Sequence, residues 1–235
     1  MGVPDGAAKF LAHSDYPAIR DFLTTNSGLP GPRANLALLA CAAEHLDPDV
    51  AGRLRAEEPE YLRSCGVARL AGDFLEADSA SARLRAQVEL THFAADPSWR
   101  VREAVAMAGQ WIGDAEPAAL PEMLRAWWQN PNPLVVRAAV ATICEPRLLG
   151  TPPMARLAVH CCREATEALL AMDPARRRLP DARTLRQALG YAWSVALAAD
   201  PSGLDDFLAM GGDPDMDWII RENRCKARFT KLLGR

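Results

Sequence analysis

Two residues with chemical potential stand one helical turn apart in the stretch SWRVREAVAMAGQWIGD, Ser98 to Asp114: the indole of Trp99 and the carboxylate of Glu103. On a helix they share a stripe with positions 106 and 110, apart from the apolar stripe that begins at Val101. An electron-rich ring face beside a fixed anion suits a bound group on which positive charge develops. A shorter echo, DWIIREN at Asp217 to Asn223, sets Trp218 ahead of Arg221. A motif that returns in this way also fits a plainer origin, the stacking unit of a repeat.

Other catalytic patterns are missing from the sequence. It has no G-x-S-x-G, H-E-x-x-H, Walker loop or dinucleotide fingerprint. His13, His45, His92 and His160 are scattered, one to each helical segment, and read as surface or packed residues. Cys41, Cys65, Cys144, Cys161, Cys162 and Cys225 lack C-x-x-C spacing and read as reduced small hydrophobes. His160, Cys161 and Cys162 in HCCRE point about 100° apart in succession and cannot share one ion. SGLPGPRANL, Ser27 to Leu36, reads as a stiff turn, because its prolines remove donors a phosphate loop needs. Neither a metal nor a cofactor is expected.

The elements that must carry these residues are helices. Nearly half of the 235 residues (49%) are apolar, enough to bury a sizeable core without disulfides. Segments rich in Ala, Leu and Arg, punctuated by Gly and Pro, argue for helices throughout and no sheet. Asp96-Pro97 offers a capping side chain and a first-turn proline, and Val101, Ala104, Val105, Ala108 and Ile112 form one buried stripe, ended by Gly113-Asp114. Leu120, Met123, Leu124 and Trp127 continue the pattern in a following helix, with Trp127 expected in the core and Trp128 at its border. A longer gap before Pro214 holds room for two helices, MARLAVHCCREATEALLAM and ARTLRQALGYAWSVALAA. No window approaches a membrane span, and the first residues lack the pattern of a secretion signal, so the expectation is a soluble cytoplasmic protein without membrane contact.

The punctuation repeats. Arg20 follows Pro17, Arg63 follows Pro59, Arg102 follows Pro97, Arg137 follows Pro133 and Arg221 follows Pro214. The first four starts are spaced by roughly 36 to 42 residues, the length of a two-helix repeat. DPSWRVREAVAMAGQWIGD resembles the second helix of a HEAT repeat, with its Asp-Pro, Val-Arg, spaced alanines and Gly-Asp. The resemblance is strongest over 96–145 and readable at 15–26, 59–72 and 213–223. It implies an all-α, right-handed α-α superhelix of about six helix pairs: one HEAT-like, armadillo-type domain over 1–235, whose second helices line a concave surface. It also implies that Arg20, Arg63, Arg102 and Arg137 form a structural ladder, each bridging to an acid or carbonyl of a neighbouring repeat.

A more distant resemblance is to the HEAT-like-repeat alkylpurine DNA glycosylases, in which a Trp and an acid one turn later hold the deoxyribose. It would make Glu103 the group that stabilises an oxocarbenium-like sugar, with Trp99 beside it and Trp193 or Trp218 as further aromatic partner. Glu103 stands where that family has aspartate. Net charge is −3, and basic residues exceed acidic ones only in residues 173–235, 11 against 9. The densest run is a final helix or tail at 221–235, with Arg221, Arg224, Lys226, Arg228, Lys231 and Arg235.

The leading expectation is a non-enzymatic interaction module, a scaffold that binds another protein on its concave face through residues such as Arg100, Trp128, Trp193, Trp218, Arg221 and Arg224. The alternative is a DNA-binding, base-excision enzyme built on Trp99 and Glu103.

Overall fold

A computed structural model describes residues 2–234. The described residues are helical throughout, with sixteen α-helices and no strand. They divide into two compact units, Met1–Glu116 and Pro117–Arg235. Unit 1 holds α1 (Ala7–His13), α2 (Tyr16–Asn26), α3 (Leu36–His45), α4 (Pro48–Arg55), α5 (Glu60–Ala68), α6 (Leu70–Leu75), α7 (Ala80–Phe93) and α8 (Trp99–Ala115). Unit 2 holds α9 (Leu120–Trp128), α10 (Pro133–Ile143), α11 (Pro152–Leu170), α12 (Pro174–Arg177), α13 (Pro180–Ala199), α14 (Leu204–Ala209), α15 (Pro214–Arg224) and α16 (Ala227–Leu233).

One chemical device starts many of these helices. A short polar side chain accepts a hydrogen bond from the first free amides, and a proline often occupies the first turn, where its missing N–H costs nothing. Asp15 caps α2 at Ala18 N, Asp47 caps α4, Asn132 caps α10 at Leu134 N and Asp213 caps α15 at Asp215 N. The start of α8 differs from expectation. Ser98, not Asp96, is its cap, and Asp96 instead accepts from Ser98 N at 2.7 Å. Asp96 is thereby placed to receive Arg63. The far end also differs, because α8 runs on to Ala115 and keeps Gly113, which is buried, inside its last turn.

The apolar stripe of α8 is buried as its spacing predicts: Val101, Ala104, Val105, Ala108 and Ile112 are at most 1% exposed. Full burial of Val101, Val105 and Ile112 contributes about 1.5–3 kcal/mol each, and the two alanines less. The stripe faces α5 and α6, while α5 also meets α2, α3 and α4.

In unit 2 the longest helix, α13, is central and packs on α10, α11, α15 and α16. Its Trp193 stacks on Phe207, which meets Phe229 edge-on. Asn223 of α15 is fully buried; it donates to the carbonyls of Leu189 and Ile219 and accepts from Ser194 N. At Gly190 a Cβ would fall 2.8 Å from the Trp218 ring, so the absence of a side chain lets α15 approach α13. None of the described helices is long and apolar enough to cross a membrane.

Candidate functional site

Trp99 and Glu103 open onto one cleft of unit 1, with a volume of about 480 Å³. Its walls come from the 32–34 turn, α3, α5 and α8. Leu36, Tyr61, Trp99, Arg100, Glu103 and Met107 contribute the larger side chains. The α8 residues are spaced 99, 100, 103, 104 and 107, which is a single helix face. The expected stripe through 106 and 110 is therefore rotated: Ala106 is buried and belongs to the core, and Met107 takes the place on the cleft.

Hydrogen bonds and a ring contact position Trp99, Arg100 and Tyr61 on this wall. Arg100 lies 4.7 Å from the Trp99 ring centroid and donates to Glu60 Oε1 at 2.6 Å. Glu60 also receives the Ser98 hydroxyl, which ties the capping residue of α8 to α5. Tyr61 donates its hydroxyl to the carbonyl of Asn35 at 2.8 Å, and Asn35 caps α3 at Leu38 N. Burial pushes the Tyr61 phenol far above its ordinary value, so it stays protonated. The indole of Trp99 is 56% exposed and Leu36 is 55% exposed, two large apolar groups at one opening. Together they give the opening an apolar rim. The charges on the cleft wall are those of Arg33, Arg100 and Glu103, and Arg100 is already neutralised by Glu60. The cleft therefore offers apolar surface with a polar edge and no excess of cations.

The remaining candidates are dispersed. Trp193 is 1% exposed and donates its indole N–H to Thr166 Oγ1 at 3.0 Å; it is a core residue and cannot serve as a surface anchor. Trp128, expected at the core border and as a contact residue, is 6% exposed with its ring edge against His160, and is likewise unavailable. Trp127 is fully buried. Trp218 is half-buried between Gly190 and the guanidinium of Arg186, which lies 4.5 Å from its ring. Arg221 and Arg224 are exposed on α15. The basic end consists of two helices, α15 and α16, and Arg235 lies outside the described residues. Of the HCCRE residues, Cys161 and Cys162 are buried while His160 is exposed. Cys225, read from sequence as a reduced small hydrophobe, is exposed.

The arginines after proline bond in a recurring way. Arg20 Nε donates to Glu57, 37 residues on. Arg63 Nε donates to Asp96, 33 residues on, and its Nη1 to the carbonyls of Glu57 and Glu58. Arg102 Nη1 donates to the carbonyls of Asp96 and Pro97. Arg137 lies in α10. Sequence reasoning missed Arg177, whose Nη1 donates to Asp213, 36 residues on, while its other nitrogens reach the carbonyls of Leu170 and Met172. The signal was present in DPARRR, where Arg177 follows Pro174 by the same three steps that separate Arg20 from Pro17. Tyr61 and Leu36 were also missed, because each reaches the cleft from a helix other than α8, and so was Glu60, which acts on the cleft through Arg100.

Compared with protein-family models and with curated proteins, the chain matches none.

Proposed function

We propose that this chain is a non-enzymatic interaction module of HEAT-like helical repeats, and that the cleft beside Trp99 takes an apolar side chain of a partner protein. The observation that carries the reading is the pair Trp99 and Leu36, both more than half exposed at one apolar opening. Aromatic residues held rigidly at such openings dominate interface energetics, and the Arg100–Glu60 pair fixes this indole at its place. The repeated Arg20–Glu57, Arg63–Asp96 and Arg177–Asp213 pairs support the repeat reading, in which the pairs of helices build a superhelix. Cytoplasmic residence belongs to the proposal on the sequence alone.

The convergence of Trp99 and Glu103 on the same cleft favours a second reading, a DNA glycosylase-like base-excision protein in which Glu103 stabilises the sugar cation. It ranks below the first because the cleft lacks the surplus of cations that phosphate contacts require.

Two measurements separate the readings. Co-purification with the wild type and with Trp99→Ala and Leu36→Ala variants, followed by reconstitution from pure components, should yield a partner that binds the wild type and neither variant. Identical binding by all three would remove the cleft from the interface. Release of alkylated purine from methylated duplex DNA, abolished by Glu103→Gln, would replace the module with the enzyme.

A further inference from the structure

A second cleft, of about 500 Å³, lies wholly within unit 2, lined by residues at and around α12 and the starts of α13 and α15. Four guanidinium groups line it, those of Arg177, Arg178, Arg183 and Arg186, against the two carboxylates of Asp213 and Asp215. Four positive charges against two negative leave a formal surplus of two.

The carboxylates are committed to two of the arginines. Arg177 is a brace, bonded to Asp213 and to two backbone carbonyls. Arg186 donates Nη1 to Asp215 Oδ1 at 2.6 Å and places its guanidinium carbon 4.5 Å from the Trp218 ring centroid, while its Nε is buried with no hydrogen-bond partner. Arg178 and Arg183 are exposed, and among the described residues the ion pairs of this cleft engage neither of them.

The geometry points to a binding site for a phosphomonoester-type dianion in this cleft, held by Arg178 and Arg183 with Arg186 as its floor. A phosphomonoester carries about −1.5 to −2 at neutral pH, which matches the surplus. Planar guanidinium forks match its oxygens two at a time. The cleft suits a single phosphate better than an extended polyanion. Asp213 and Asp215 on its wall are each bonded to an arginine, and Asp181, in the first turn of α13, pairs with Arg176. Two uncommitted guanidinium groups, Arg178 and Arg183, are enough for one phosphate and short of the row of cations that a nucleic-acid backbone requires.

The test is calorimetric titration of the full chain with four probes: inorganic phosphate, a short peptide carrying one phosphoserine, the same peptide unphosphorylated, and an oligothymidine. Phosphate and the phosphopeptide should saturate a single site and the unphosphorylated peptide should not. The Arg178→Ala, Arg183→Ala double variant should lose at least about tenfold in affinity, as expected for charge-assisted contacts. Asp215→Asn should bind severalfold tighter, since it releases Arg186 from a competing anion. Should the double variant fail to fold, Arg183→Gln alone at its exposed position should show the same loss in part. A phosphopeptide that outbinds the bare ion would identify a modified protein as the source. Parity between them would assign the site to free phosphate esters. Absence of saturable phosphate binding, or unchanged affinity in the arginine variants, overturns the site. Oligothymidine binding tighter than the phosphopeptide, and lost in the same variants, overturns the monoester selectivity.

Discussion

Arg63 and Asp96 meet as a two-pronged ion pair, Nε to Oδ2 at 2.9 Å and Nη2 to Oδ1 at 3.3 Å, although 33 residues separate them. The Asp96 side chain is 8% exposed and that of Arg63 is 17% exposed, so water can replace little of what either would lose. Arg63→Ala should therefore lower the stability of the protein by about 2–3 kcal/mol, because Asp96 and the carbonyls of Glu57 and Glu58 lose their donor together. Arg63→Lys should recover less than half, since an ammonium cannot reproduce the fork. Urea unfolding of the three proteins measures this, and full recovery by lysine would reduce the contact to simple charge.

A methyl group at Gly190 would meet the Trp218 ring 2.8 Å away. Gly190→Ala should force α15 off α13 and destabilise by about 1–3 kcal/mol, despite alanine's better helix propensity. A variant as stable as the wild type would mean that the indole swings aside freely.

Thr166 accepts the indole N–H of Trp193 in a site closed to water. Thr166→Val keeps the volume and removes the acceptor, and the orphaned donor should cost about 1–2 kcal/mol in denaturant unfolding. A change close to zero would show that the indole has found another partner.

The hydrogen bond from Arg177 holds the Asp213 carboxyl below the usual carboxylate range, against the opposing effect of burial. A carboxylate depressed by folding adds stability above its unfolded pKa of about 3.9, and that stability disappears as the pH falls through the lower, folded value. Asp213→Asn keeps a capping oxygen but removes the titrating charge. Its stability should therefore decline less steeply than that of the wild type below about pH 4, as read from denaturation midpoints at pH 5 and pH 3. Parallel decline in the two proteins would show that Asp213 does not carry this dependence.

Trp99 should matter little to folding. Its ring is 56% exposed, so Trp99→Ala should stay within about 0.5 kcal/mol of the wild type in thermal unfolding while partner binding is lost. A large drop in stability would make the indole a structural prop of the cleft.

The helices were legible because periodicity and punctuation are local properties. Five apolar positions of α8 announced its buried face, and Asp-Pro and Asn-Pro pairs announced helix starts. Tertiary neighbours were not legible. Trp193 and Trp128 look like any other tryptophans until Thr166 and His160 are brought beside them. Likewise Glu60 and Tyr61 give no sign in sequence that α5 will set them against α8. Arg177 was hidden for a different reason. The pattern after Pro174 was intact, but α12 is only one turn long, and a run of three arginines reads as solvated surface.

The arginine pairs also bear on how the chain reaches its fold. Arg20–Glu57, Arg63–Asp96 and Arg177–Asp213 each close a loop of 37, 33 and 36 residues. Loop-closure entropy grows only with the logarithm of length, so the three closures carry nearly equal, modest costs. Contacts this local favour rapid folding and permit a stretch within either unit to open while the rest of that unit stays closed. Amide exchange should accordingly fall into blocks bounded by these pairs, with Arg63→Ala accelerating exchange in α5 and α8 and leaving α13 at its wild-type rate.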